Sequence, residues 1–197
     1  MNIFNDENFI KNINNTLKTG GVIAFVTDTV WGLGCLPHNE KACQKIYDIK
    51  HRESKKPLIL MSNEFNNLKK YISNTSITMK NLIKKYFPGA LTIVTKRSDF
   101  TPTFITSNKD TVGIRVPNNI IFQNICKIIE GHVLATTSAN ISGNASGKSF
   151  EDVKNELGYK VDYIFEDYGF EAKGLESTVI KIENDKIDIL RQGAIFL

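Results

Sequence analysis

The sequence predicts a single α/β domain built on a mixed β-sheet. Strand-like and helix-like segments alternate through most of the chain, and strand-like segments dominate its end. The length of 197 residues suits one domain, and a hydrophobic share of 41% is enough to bury a core. No internal repeat and no linker-like change in composition divides the chain, so we expect one domain over residues 1–197.

In the first half, apolar residues at helical spacing after Asp6 predict a helix that ends at Gly20 and Gly21. The segment VIAFV (22–26) predicts a buried strand, and residues 27–39 predict a loop. The remaining elements of this half are a helix over 40–49, a strand over 57–61, helices near 64–72 and 78–86, and a strand over 90–96.

In the second half, residues 111–117 and 132–137 predict strands, with an apolar helix before the second of them. Small and polar residues fill 138–149, and Ser149 with Asp152 indicates a capping box that opens a short helix. The segments YIF, STVIKI and IDIL predict strands near the end of the chain.

Composition excludes several classes of protein. No apolar run approaches the ~20 residues that span a bilayer, and the polar N-terminus does not resemble a secretory signal. Cys35, Cys43 and Cys126 are odd in number and widely spaced, which indicates reduced thiols in a cytoplasm. No spacing of residues suggests a metal site, and no G-x-S-x-G motif suggests a nucleophilic serine.

A basic cluster lies at the predicted end of the helix over 40–49. The segment KIYDIKHRESKKPL (45–58) brings Lys50, Arg52, Lys55 and Lys56 together with Glu53, although the whole chain carries a net charge of only +4. Such local basicity can be a solvated run of charge that favours the helix dipole. It can also bind an anion, since a buried strand follows at once and would anchor the cations.

The segment TDTVWGLG (27–34) follows a strand, where ligands often bind in α/β sheets. The hydroxyls of Thr27 and Thr29 could bind a polar substrate, and Trp31 could form a wall of the pocket. The alternative is a plain turn capped by Asp28.

The segment SANISGNASGKS (138–149) ends like a phosphate loop, but only three residues separate Gly143 from Gly147, whereas a Walker motif needs four. Its backbone N–H groups could still bind phosphate, or it could be a flexible surface loop. Arg115 and Arg191 lie in and directly after apolar strands, and each needs an anionic partner from the protein or from a ligand. Cations, hydroxyl groups and glycine-rich loops of this kind are suited to positioning a substrate and neutralising its charge.

Taken in order, seven segments resemble the YrdC-domain threonylcarbamoyl-adenylate synthases. They are TDTVWGLG, KIYDIKHRESKKPLIL, FPGALTIV, VGIRVP, TSANISGNAS, GLESTVI and ILRQGAI, and they extend over residues 20 to 195. The resemblance implies a twisted open mixed sheet flanked by helices, with a basic concave groove. It also implies the short form of the family, without a C-terminal extension domain.

The resemblance implies that L-threonine, bicarbonate and ATP yield threonylcarbamoyl-adenylate and pyrophosphate. Mg²⁺ would be held by the ATP phosphates, with no metal ligand from the protein. A partner complex would then transfer the threonylcarbamoyl group to tRNA, forming N6-threonylcarbamoyladenosine beside the anticodon.

The resemblance also assigns roles to residues of this chain. Lys50 and Arg52 would be catalytic, and with Lys56 they would clamp polyphosphate and carboxylate. The expected ATP contacts are Arg52, Lys56, Thr111, Ser138, Asn140, Ser146 and Arg191. The expected threonine pocket consists of Thr29, Arg115, Thr136 and Ser177.

The chain departs from the family pattern at several positions. Trp31 replaces a usual Tyr, Glu53 adds an acid inside the basic cluster, and Met61 stands where a His is frequent. Two other functions remain open: a non-catalytic module that binds double-stranded RNA or tRNA, and a carbamoyl-transfer module that uses carbamoyl phosphate.

Overall fold

The computed structural model describes residues 2–51, 56–144 and 147–197 of the chain. The helices are α1 (Glu7–Lys18), α2 (Glu40–Ile49), α3 (Phe65–Leu68), α4 (Ile77–Tyr86), α5 (Ile120–Ile128) and α6 (Phe150–Leu157). The strands are β1 (Ile23–Phe25), β2 (Gly32–Cys35), β3 (Ile59–Ser62), β4 (Leu91–Lys96), β5 (Thr111–Arg115), β6 (Val133–Ser138), β7 (Tyr163–Ile164), β8 (Thr178–Glu183) and β9 (Lys186–Arg191).

All these strands form one sheet in the order β7-β1-β2-β6-β3-β5-β4-β8-β9. The pairs β1–β7, β3–β5 and β4–β8 are parallel, and the other neighbours are antiparallel. The sheet is open because β7 and β9 are its edges. The predicted mixed α/β sheet is therefore confirmed.

Two predicted helix starts are confirmed by their caps. The Asp6 carboxylate accepts hydrogen bonds from the backbone N–H groups of Asn8 (2.9 Å) and Phe9 (3.1 Å). Ser149 and Asp152 form the reciprocal capping box at the start of α6. These local bonds satisfy backbone donors that a helix leaves free at its N-terminus.

Strand β2 was not expected, since its residues fall in the segment predicted as a loop. Gly32 and Gly34 weaken the strand pattern, because glycine has low strand propensity. The structure explains why glycine is present. A Cβ atom added to Gly32 would lie 2.7 Å from Cε2 of Phe25, so the ring of Phe25 covers the glycine backbone across the strand pair. The helix predicted near 64–72 is also shorter, since α3 ends at Leu68 and a 3-10 turn follows.

Within the described residues, no helix is both long and apolar enough to cross a membrane. The core is built mostly of aliphatic residues and includes the Phe25–Phe122 ring pair, with centroids 4.9 Å apart. Lys50 and Arg115 are also buried, each with 2% of its surface exposed. Burial of two cations requires partners, and both residues lie at the same cavity.

Candidate active site

A cavity of about 320 Å³ is lined by residues from seven strands and by connecting segments that precede or follow helices and strands. This volume is of the size that small-molecule sites occupy. Nine of the residues predicted for the site line the cavity: Thr29, Lys50, Lys56, Arg115, Thr136, Ser138, Asn140, Ser177 and Arg191. The sheet brings them together because β5 and β6 end here, at Arg115 and Ser138, and β2 begins here, at Gly32.

The structure does not bring Thr111 to this cavity. Thr111 is the first residue of β5 and pairs with Lys96, whereas Arg115 is the last residue of that strand. Four residues of extended chain separate them by roughly 13 Å. Arg52 and Ser146, also predicted for the site, lie outside the described residues.

Arg115 is held by three groups of the protein. Its Nη2 lies 2.6 Å from Oδ1 of Asp28, its Nη1 donates to Oγ1 of Thr29 (2.8 Å), and its Nε donates to the carbonyl of Gly89 (3.0 Å). Burial lowers the pKa of Arg115, and the nearby Asp28 opposes that lowering. The anionic partner that the sequence required is therefore a protein carboxylate. Arginine has five N–H donors, so two remain beyond these three contacts.

The hydroxyls of Thr27 and Thr29 belong to one group of hydrogen bonds beside Arg115. Thr27 Oγ1 donates its single proton to the carbonyl of Val30 (2.7 Å). The two hydroxyl oxygens lie 3.1 Å apart, and Thr27 Oγ1 also accepts from the backbone N–H groups of Thr29 (3.2 Å) and Val30 (3.3 Å). Thr29 Oγ1 also accepts from Arg115, so this hydroxyl is held against the guanidinium at the cavity wall.

Lys50 points its ammonium group at the loop that follows β6. Its Nζ donates to the carbonyl of Asn140 (2.6 Å), to Oδ1 of Asn140 (3.1 Å) and to the carbonyl of Ser138. The backbone N–H of Ser142 in turn donates to the carbonyl of Lys50 (2.9 Å). The ammonium thus contacts oxygens of this loop in the free protein, and the clamp on polyphosphate expected of Lys50 stays a prediction. Lys50 positions the loop, and the loop lines the cavity.

The loop over residues 138–144 is also tied internally. The hydroxyl of Ser138 donates to Oδ1 of Asn140 (2.6 Å), and Nδ2 of Asn140 donates to the carbonyl of Asn144 (2.7 Å). Glu156 on α6 accepts from the backbone N–H of Ile141 (3.1 Å). These bonds fix the position of Asn140, which is only 8% exposed.

On the other side of the cavity, Arg191 supports Ser177. Its Nη2 and Nε donate to the carbonyl of Ser177 (2.9 and 3.1 Å), and its Nη1 is ion-paired with Glu176. The hydroxyl of Ser177 lies 2.9 Å from that of Thr92, and both residues are buried. Ser177 is thus held in one orientation at the cavity wall.

Sequence reasoning missed two acidic members of this site. The sequence indicates Asp28 only as a possible cap of a turn, and it gives no signal for Glu176. The requirement that a buried arginine has an anionic partner pointed to such residues, but the partner's position depends on the fold. Among the residues that the structure describes, the charged ones lining the cavity are Lys50, Lys56, Arg115, Arg191 and Glu176, so cations exceed acids there. Among the described residues, no group of three His, Cys, Asp or Glu could hold a metal ion.

Solved structures resemble this fold over nearly its full length. The crystal structure of Pyrococcus abyssi Sua5 complexed with L-threonine matches with a TM-score of 0.87 and 33% identity, covering 95% of this chain and 55% of that one. The chain therefore spans about half the length of that protein. The structure of Escherichia coli YciO matches with a TM-score of 0.82 and 26% identity, covering 95% of this chain and 90% of that one.

Sequence comparison gives the same relationship. A Vibrio vulnificus protein named threonylcarbamoyl-AMP synthase is 34% identical over 187 residues, which are 93% of this chain and 98% of that protein. The family model for Sua5, YciO and YrdC, described as telomere recombination, matches residues 15–193. The chain belongs to the Sua5/YciO/YrdC family.

Proposed function

We propose that this protein is an L-threonylcarbamoyladenylate synthase, which joins L-threonine, bicarbonate and ATP and releases pyrophosphate. One observation carries the proposal. The Arg115–Thr29 pair and the Lys50-positioned loop line the same cavity, so a site for an amino acid lies next to a site for a phosphate chain. Relatives named threonylcarbamoyl-AMP synthase support it.

Threonine binds at the Arg115 side of the cavity. Two N–H groups of Arg115 are available to its carboxylate, in addition to the three that hold the guanidinium in place. The Thr29 hydroxyl forms a hydrogen bond with the amine or the hydroxyl of threonine, because it lines the cavity beside the guanidinium. Thr136 and Ser177 complete the walls.

ATP binds along the loop over residues 138–144 and the cations beside it. Ser138 and Asn140 shape the loop, while Lys56 and Arg191 neutralise phosphate charge. The family resemblance implies Arg52 and Ser146 as further contacts, and Thr111, which does not line the cavity, for a part of the nucleotide that extends beyond it. The carboxylate that lines the described part of the cavity, Glu176, is ion-paired with Arg191. Mg²⁺ therefore arrives with the nucleotide and is held by phosphate oxygens.

The reaction has two steps that balance without a protein nucleophile. The neutral amine of threonine attacks the carbon of bicarbonate, and loss of water leaves a carbamate. A carbamate oxygen then attacks the α-phosphorus of ATP, the bond to the β-phosphate oxygen breaks, and pyrophosphate leaves. The protein contributes by holding two anions together and by stabilising charge on the leaving group.

The product carries an activated carbamoyl group, which suits transfer to a nucleophile on another molecule. We place the protein in the cytoplasm, upstream of a transferase complex that forms N6-threonylcarbamoyladenosine in tRNA. Contact with tRNA or double-stranded RNA at a basic groove is part of the same proposal.

Pyrophosphate release tests this function. The protein is supplied with ATP and Mg²⁺, with L-threonine and bicarbonate omitted in turn, and D-threonine serves as the matched control substrate. We expect release only when L-threonine and bicarbonate are both present. Release that needs neither substrate would indicate a nucleotidase, and tight RNA binding without release would indicate a binding module.

A further inference from the structure

Trp31 carries an unpaired buried donor at the wall of the cavity. Its side chain is fully buried. Among the buried side-chain nitrogen and oxygen atoms of the described residues, only Nε1 of Trp31 has no hydrogen-bond partner. Most buried polar groups in proteins are paired, and an unpaired donor is destabilising. The other buried polar side chains of this cavity discussed above are paired, so the exception requires an explanation.

The position of Trp31 suggests what pairs with it. Trp31 lines the cavity two residues after Thr29, and its backbone carbonyl accepts from the N–H of Ala139 (2.8 Å). The next residue, Gly32, is opposite Ser138 in the sheet. Residue 31 is therefore next in the chain to the proposed threonine site and bonded through its backbone to the segment that follows β6, which is the proposed nucleotide loop.

We propose that the indole N–H of Trp31 donates a hydrogen bond to an oxygen of the carbamate that bicarbonate forms on the nitrogen of threonine. This inference rests on the proposed function. The threonine carboxylate has Arg115 and the phosphates have Lys56 and Arg191, whereas the carbamate between them has no assigned donor. The indole N–H can only donate a hydrogen bond, so its suitable partner is an acceptor such as an anionic oxygen.

Binding of the carbamate requires a small change in the structure around Trp31. Because Nε1 has almost no access to solvent in this structure, the ring or the adjoining wall must shift when the carbamate binds. Phe150, whose ring centroid lies 6.3 Å from that of Trp31, packs beside the indole at the start of α6. A shift of these two rings exposes the donor to the ligand.

Trp31 is the single tryptophan of the chain, so ¹⁵N-labelled protein gives one indole N–H signal. The signal is followed with L-threonine and α,β-methylene-ATP, which cannot release pyrophosphate, before and after bicarbonate is added. We expect a downfield proton shift on addition of bicarbonate. The variant Phe150→Leu should change the starting position of the signal and retain its response. An indole signal that does not respond to bicarbonate overturns the inference.

Replacement of Trp31 by benzothienylalanine tests the donor alone, because sulfur replaces the N–H and the ring shape is kept. We expect the KM for bicarbonate to rise about tenfold, since a hydrogen bond to a charged group is lost. Thermal stability of the free protein should stay equal or increase, because an unpaired donor has been removed. An unchanged KM in the substituted protein, with normal pyrophosphate release by the native protein, contradicts the inference and leaves the proposed function intact. Failure of the native protein to release pyrophosphate would instead contradict the proposed function.

Discussion

The guanidinium of Arg115 and the carboxylate of Asp28 form a buried ion pair, with 2.6 Å between Nη2 and Oδ1. The side chains are 2% and 12% exposed, so water screens the pair only weakly. Asp28 precedes Thr29, which contacts the same guanidinium. The TDT segment thus fixes the orientation of the arginine that we assign to threonine.

Asp28→Asn should lower the free energy of unfolding by about 3 kcal/mol, because it leaves Arg115 buried without a counter-charge. Urea unfolding at neutral pH measures the change. Asp188→Asn, on the exposed edge strand β9, is the matched control and should change stability by less than about 0.5 kcal/mol. Equal, small effects of the two variants would show that the ion pair does not stabilise the fold.

Thr29→Val should raise the KM for L-threonine by about tenfold or more. Arg115 loses a hydrogen-bond acceptor, and the substrate loses its proposed hydrogen bond to the Thr29 hydroxyl. Thr29→Ser keeps the hydroxyl and should stay within about threefold of the native value. Steady-state pyrophosphate release at saturating ATP measures both variants. If the serine and valine variants behave alike, the hydroxyl of Thr29 does not contact threonine.

Lys50→Met should loosen the loop over residues 138–144, because the carbonyls of Ser138 and Asn140 lose a charged donor. Amide hydrogen exchange of residues 139–144 should accelerate at least about tenfold in the free protein. Affinity for ATP should fall as a consequence.

Lys56→Met is the control that separates loss of a phosphate-binding charge from loss of the loop contacts of Lys50. Lys56 lines the same cavity but is exposed, so its loss should weaken ATP binding without changing loop exchange. Unchanged exchange in the Lys50 variant would contradict the positioning role.

Cys126 should make stability fall at alkaline pH. Burial raises the pKa of its thiol well above the ordinary value, so the thiol stays protonated in the folded state. In the unfolded state a cysteine ionises near pH 8.5. The unfolded state therefore binds fewer protons above that pH, and the free energy of unfolding falls by up to about 1.4 kcal/mol per pH unit.

Urea unfolding in a reducing buffer between pH 7.5 and 9.5 measures this dependence. Cys126→Ala should be less stable throughout, owing to the lost sulfur atom, but its stability should fall less steeply with pH. Parallel pH curves for the two proteins would contradict the assignment. Cys35, whose pKa is also raised, contributes to the slope that remains.

Much of the fold could be predicted from local signals. The caps at Asp6 and Ser149 and the period of the apolar residues located most elements, because each depends on neighbours in the chain. Strand β2 could not be predicted in this way, since Gly32 is required by the ring of Phe25 on another strand. The end of α3 at Leu68 likewise had no glycine or proline to mark it.

The composition of the site was more predictable than its contacts. Nine predicted residues line the cavity, because they lie in strands or in segments next to helices and strands that meet at the same part of the sheet. Their partners depend on long-range packing: Asp28 with Arg115, and Lys50 with a carbonyl 90 positions away at Asn140. Local sequence carries no signal for such pairs.

The most direct test of the account is to identify the reaction product with ¹³C-labelled bicarbonate. Native protein is incubated with ATP, Mg²⁺, L-threonine and the labelled bicarbonate, and the products are analysed by mass spectrometry. We expect threonylcarbamoyl-adenylate that carries one ¹³C atom, formed only when all three substrates are present. Pyrophosphate or phosphate release with no labelled adenylate would contradict it.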